Sequence, residues 1–74
     1  MKLNELHKGN SGTIKKIHAD KTLKSRFNSF GITKGQKITV EEITLAKETI
    51  EIKIGRTKIA LRVSEAQNIE VEAC

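Results

Sequence analysis

The hydrophobic positions of this chain follow two periods and switch between them several times within 74 residues. Ile50, Ile52 and Ile54 alternate with polar residues without error, and Ile59, Leu61 and Val63 do the same. Each run has the period of two that marks a strand with one buried face. Gly55-Arg56 stands between them and suits a two-residue hairpin loop of type II′, with glycine at its first position. That loop sets Ile52 against Ile59 and Ile50 against Leu61, so the two apolar faces agree. The same register opposes Lys53 to Lys58 on the outer face, an unfavourable like-charge pair. Two alternatives follow: the loop is longer, or the tip attracts an acidic partner.

Upstream the period changes. Leu23, Phe27 and Phe30 recur at i, i+4 and i+7, which predicts an amphipathic helix over about residues 20–30. Asp20 is placed to accept from the free N–H groups of its first turn, and Gly31 follows the last periodic residue as a C′ stop. Gly35 then turns the chain into Ile38 and Val40, a half-buried strand that bends or ends near Glu42 because Ile43 is out of phase. Thr44 to Thr49 is expected to be an exposed turn. Ile14 and Ile17 mark a first strand, and their spacing of three calls for a bulge near Lys15-Lys16. Leu3 and Leu6 cover one end of the core before Gly9 and Gly12 break the chain. Ser64 to Gln67 reads as one helical turn capped by Ser64, and Ile69 with Val71 as the last strand. Five short strands must hide their edges and bury a face. The expected fold is therefore mostly β: a small SH3-like barrel with one inserted helix, as a single domain over residues 1–74.

Composition sharpens this. The chain has two Phe and neither Trp nor Tyr, so Ile, Leu and Val must build the core. Each contributes about 1.5–3 kcal/mol on burial against roughly 1.5 kcal/mol of ordering entropy per residue, so marginal stability or weak self-association is an expectation. One cysteine, Cys74, has no partner for an internal disulfide, which agrees with a reducing compartment. MKLNELHKGN holds no apolar run, so neither a signal peptide nor membrane insertion is expected. The formal net charge is +5, with eleven lysines spread along the chain and no block of like charge. That balance favours nucleic acid, an acidic protein surface or an anionic membrane without deciding among them.

Three stretches together resemble one family. LKSRFNSFGITKGQKITV is similar to the FeoA pattern, in which an Arg-containing helix leads through Leu/Phe-Gly-Ile to a glycine turn and a strand. LNELHKGNSGTIKKI resembles the family's opening, and KIALRVSEAQNIEVE its close, so the likeness spans nearly the whole chain. The resemblance implies an SH3-like fold and a small cytoplasmic protein of ferrous iron uptake. It implies a partner too, the membrane GTPase transporter FeoB, which would hold the protein at the inner face of the membrane. The chain departs from the family at ITLAKETI, where many relatives carry a Gly/Pro-rich loop, and at Phe27, where Leu is more usual.

The residues offer little catalytic chemistry. Two histidines, one terminal Cys and no Tyr make no set of nucleophile, base and orienting group, and GITKGQK lacks the spacing of a phosphate-binding loop. An enzyme is not expected. For a metal, His18 and Asp20 offer two ligands at the end of the first strand, without a recognised spacing such as CxxC. No cofactor follows from them, and a transition metal ion such as Fe2+ enters only through the resemblance. A GTPase partner raises the idea of an arginine finger from Arg26, Arg56 or Arg62. Arg26 and Arg62 lie inside regular elements, where pairing with Glu65 or Glu5 is the expected use. The stronger surface is the outer stripe of the helix, Lys21, Lys24 and Asn28, extended by Lys34, with Arg56 at the hairpin tip. This stripe is the expected docking surface for an acidic region of FeoB. Two other functions compete. A nucleic-acid-binding barrel fits the charge, but both Phe lie on the helix's apolar face, so no bases are expected to stack there. A metal-responsive regulatory domain fits the fold, since iron-dependent repressors end in a similar one. The chain lacks a helix-turn-helix segment, which favours a stand-alone protein.

Overall fold

The computed structural model describes residues 1–44, 46 and 48–74. Five antiparallel strands are present: β1 (Ser11–Ile17), β2 (Lys37–Ile43), β3 (Thr49–Ile54), β4 (Thr57–Arg62) and β5 (Ile69–Ala73). They form one sheet in the order β4-β3-β2-β1-β5. A 3-10 turn at Leu3–Glu5 precedes β1, helix α1 (Lys21–Ser29) joins β1 to β2, and the short helix α2 (Val63–Ala66) joins β4 to β5.

The β3–β4 hairpin has the register that the alternation requires. Ile52 pairs with Ile59, Ile50 with Leu61, and Ile54 with Thr57, so Gly55-Arg56 is the whole loop. The longer-loop alternative falls, and Lys53 does face Lys58. The spacing of Ile14 and Ile17 is resolved by a bulge: pairing with β5 shifts between Ile14 and Lys16. β2 does not end at Glu42. It bends through a second register shift between Val40 and Glu42 and runs on to Ile43. The expected turn from Thr44 to Thr49 includes Leu45 and Lys47, which lie outside the described residues. Its ends are clasped, since Thr44 N–H donates to Thr49 O at 3.0 Å.

Helix α1 begins as its sequence dictates, with the Asp20 carboxylate accepting from Leu23 N–H at 2.8 Å. It ends in a Schellman motif. Ile32 N–H donates to Phe27 O at 2.9 Å and Gly31 N–H to Asn28 O at 3.0 Å, with Gly31 left-handed at φ 82°. Phe27 is fully buried, and Leu23 and Phe30 pack half-buried against the same core. Leu3, Leu6, Ile14, Ile32, Ile38, Val40, the isoleucines of β3, Ile59, Leu61, Ala66, Ile69 and Val71 fill the rest of that core.

One helix boundary differs from the sequence reading. Val63 keeps the alternation of β4 yet opens α2, and the cap is Arg62 rather than Ser64. Arg62 N–H donates to Glu65 Oε1 at 3.0 Å, the backward arm of a capping box. A charged carboxylate is the stronger acceptor, so Glu65 three residues after Arg62 outcompetes Gln67 three residues after Ser64. The same Glu65 pairs with Arg26 of α1, tying the two helices together. Glu5 accepts from Lys2 N–H at 2.6 Å instead of meeting an arginine. The curl of the sheet stops short of a hydrogen-bonded ring, because β4 and β5 remain its two edges.

Candidate functional site

A shallow basic groove runs between β1 and α1. One wall is Lys15, Lys16 and Ile17 of β1, the other is Lys24 and Asn28 of α1, and Thr33 with Lys34 closes one end. Local sequence explains each position. The bulge in β1 turns two consecutive lysines outward, and both are exposed. Lys24 and Asn28 are four apart and share a helix face. Thr33 to Gln36 forms a tight turn, with Gln36 N–H donating to Thr33 O at 3.2 Å. That turn is pinned to β1, since Gly35 N–H donates to Ile14 O at 2.8 Å and Ile14 N–H to Gln36 O at 2.9 Å. Lys34 is thereby held beside the bulge.

The charges are partly compensated. Lys15 Nζ lies 3.1 Å from Glu72, and Lys16 stands opposite Glu70 in the register. Lys24 and Lys34 enter no ion pair among the described residues. Ammonium groups, an amide, a hydroxyl and a half-buried isoleucine suit carboxylates carried on a chain with some apolar character. Among the described residues the groove's lining offers no nucleophile with a neighbouring base.

The structure gathers part of the expected stripe. Lys24, Asn28 and Lys34 line the groove, whereas Lys21 does not. Arg56 sits apart on the β3–β4 loop, beside a second groove lined by Gln36, Lys37, Thr39, Lys53 and Gly55. Lys15 and Lys16 were not among the expected binding residues. The signal for them was the lysine pair at the bulge, but only the tertiary fold sets them around one groove with Lys24.

The structure gives His18 and Asp20, the candidate metal ligands, separate partners. Asp20 caps α1, and His18 Nε2 lies 3.2 Å from Glu70 Oε2. The hydrogen bond from His18 holds the Glu70 carboxyl below its ordinary range, and Lys8 does the same to Glu42 through a hydrogen bond and its charge. No three His, Cys, Asp or Glu side chains converge among the described residues.

The fold defines the class, a small SH3-like β protein with an inserted helix. The chain matches the FeoA domain over residues 1–73 and belongs to the FeoA family. It is 41% identical over 73 residues to a Helicobacter pylori protein bearing the name Fe(2+) transport protein A, covering 97% of this chain and 94% of that one. A fusion of Fe(2+) transport protein A with the Fe(2+) transporter FeoB in Porphyromonas gingivalis is 29% identical over 72 residues, covering 97% of this chain and 8% of the fusion. Among solved structures, Stenotrophomonas maltophilia FeoA complexed with zinc, described as a prokaryotic SH3 domain protein and candidate activating factor of ferrous iron transport, superposes with a TM-score of 0.84. It is 28% identical, with 97% of this chain and 89% of that one covered. A manganese-dependent transcriptional repressor superposes with a TM-score of 0.93 at 25% identity, covering all of this chain and 36% of that one. Among the described residues no helix is long and apolar enough to cross a membrane.

Proposed function

We propose that this chain is a non-catalytic accessory protein of ferrous iron uptake. It acts as one FeoA-like domain and binds the cytoplasmic part of an FeoB-type transporter through the groove between β1 and α1. The observation that carries this reading is the Porphyromonas gingivalis relative in which the same domain and FeoB are one polypeptide. Covalent joining raises the effective concentration of two modules to about the millimolar range, which helps only modules that engage each other. The uncompensated Lys24 and Lys34 supply a contact for an acidic region. Such binding alters transport by differential affinity: a ligand shifts a conformational equilibrium only as far as it prefers one state. A tenfold preference for one nucleotide state corresponds to about 1.4 kcal/mol.

The test is a titration of the labelled protein with the purified GTPase domain of its cognate FeoB, with GDP and with a GTP analogue, at moderate salt. Saturable binding is expected, weakened about tenfold or more by Lys24→Glu with Lys34→Glu, a loss of roughly 1.4 kcal/mol or more. Absence of binding to that domain and to the full-length transporter would sink the reading. Binding that ignores both reversals would move the contact away from the groove.

A further inference from the structure

The two edges of the sheet are treated differently. β5 is covered by the start of the chain: Val71 N–H donates to Met1 O at 2.7 Å, the terminal amine donates to Val71 O at 3.2 Å, and Lys2 bridges Glu70. β4 has no such cover among the described residues. Which of its backbone groups face outward follows from parity. Val63 N–H donates to Glu48 O at 2.9 Å, so that pair is hydrogen-bonded. Hydrogen-bonded pairs recur at every second residue, which assigns Leu61, Ile59 and Thr57 to β3 and turns Lys58, Ala60 and Arg62 outward. Arg62 N–H is taken by Glu65. The N–H and C=O of Lys58 and of Ala60 have no partner among the described residues, and both residues are exposed.

Basic side chains prevail at the hairpin end of this edge, while the exposed Glu51 stands opposite Ala60 further along it. Lys53 and Lys58 form a non-hydrogen-bonded pair, the type in which facing side chains approach more closely. Arg56 occupies the adjoining loop, and Lys37 lies with Lys53 along one groove. None of these four enters an ion pair among the described residues.

We propose that β4 is a docking edge that takes an acidic, extended polypeptide segment as an added strand. The added backbone bonds to Lys58 and Ala60, and its carboxylates neutralise Lys53, Arg56 and Lys58. A second copy of this chain is a poor occupant, because antiparallel pairing of β4 with itself about Lys58 or Ala60 sets Lys58 against Lys58 or Arg62, and edge lysines oppose pairing with their like. A nucleic acid is also disfavoured: single strands bind by stacking on aromatics, and the chain has only buried Phe27 and half-buried Phe30. This edge is distinct from the α1 groove, and the two readings stand or fall separately.

The experiment is amide exchange and chemical-shift mapping of the full chain, titrated with an acetylated, amidated peptide alternating Glu and Val. A Lys–Val peptide and an oligothymidylate of similar length form the other arms. Exchange at Lys58 and Ala60 is expected to slow about tenfold or more, with shift changes confined to β4 and its hairpin. Ala60→Pro removes an outward N–H while leaving the bonds to β3, and should abolish the protection. Lys58→Glu keeps the backbone intact, should weaken binding about tenfold, and decides the matter if the proline variant fails to fold. Four results would overturn the proposal: no saturable binding, protection elsewhere, equal binding by the Ala60→Pro variant, or an oligothymidylate that occupies the same edge as tightly.

Discussion

Removing the Glu65 carboxylate should loosen α1 and α2 together. Its side chain is only 12% exposed while that of its partner Arg26 is 50% exposed, so the two bonds of this carboxylate differ in worth. The hydrogen bond from Arg62 N–H ends on the shielded carboxylate and contributes about 1.5–3 kcal/mol, the range for bonds to charged groups. The bond to Arg26 reaches into solvent and contributes about 0.5–1 kcal/mol. Glu65→Ala should therefore cost roughly 2–4 kcal/mol, a large share of the about 4–11 kcal/mol available to a chain of this length. Glu65→Gln keeps an acceptor for Arg62 N–H and should cost about 1 kcal/mol. Arg26→Ala removes the ion pair and the stacking of its guanidinium over Phe30, whose ring centre is 5.6 Å away. That change should cost about 1–1.5 kcal/mol. Because both variants break the same bond, the double variant should fall short of the sum by about 0.5–1 kcal/mol. The assay is urea denaturation followed by far-UV circular dichroism, since the chain has no Trp or Tyr to report by fluorescence. A loss of about 2–4 kcal/mol lowers Tm by about 10–30 °C in a domain of this size. Equal costs for the Ala and Gln variants would refute the capping role, and strict additivity with Arg26→Ala would refute the clasp between helices.

Two further outcomes follow from particular contacts. A methyl group added at Gly12 would lie 3.1 Å from Glu72 O and 3.3 Å from Val71 Cβ, and a backbone oxygen in the sheet yields little. Gly12→Ala should therefore destabilise by about 1 kcal/mol, overpacking of about 1–3 kcal/mol outweighing an entropic gain of about 0.4–1 kcal/mol; a more stable variant by the same denaturation assay would contradict this. Carboxyl NMR titrations should place Glu70 and Glu42 below the ordinary carboxylate range, with His18→Ala restoring the first and Lys8→Ala the second. A lowered folded-state pKa means that each contribution is present above the unfolded pKa and lost as pH falls through the folded value, so both fade only on the acid limb.

Much of the fold was legible because the β3–β4 alternation has no error and a two-residue loop admits one register. Asp20 and Gly31 bounded α1 for equally local reasons. The boundary at Val63 was not legible from period alone, since an apolar residue that continues a strand's alternation can also open a helix. Competition between Glu65 and Gln67 for the capping role decided it. The candidate site was half legible. Lys24, Asn28 and Lys34 follow from helix spacing and a turn, but Lys15 and Lys16 join them only through tertiary packing. The uncovered state of β4 has no local signature at all, because it depends on where the chain's first residues settle.

The order of the strands also sets the order in which the chain can be completed. β2, β3 and β4 are neighbours in sequence and close by short connections, which form on the microsecond scale. The pairing of β1 with β5 spans from Gly12 to Ala73, and the entropy of closing a loop grows with its length. Until Ile69–Ala73 has left the ribosome, β1 lacks its second partner and Ile14 and Ile17 have no Val71 or Ile69 beside them. The five residues of β5 thus close the sheet at β1 after the local meander has its partners.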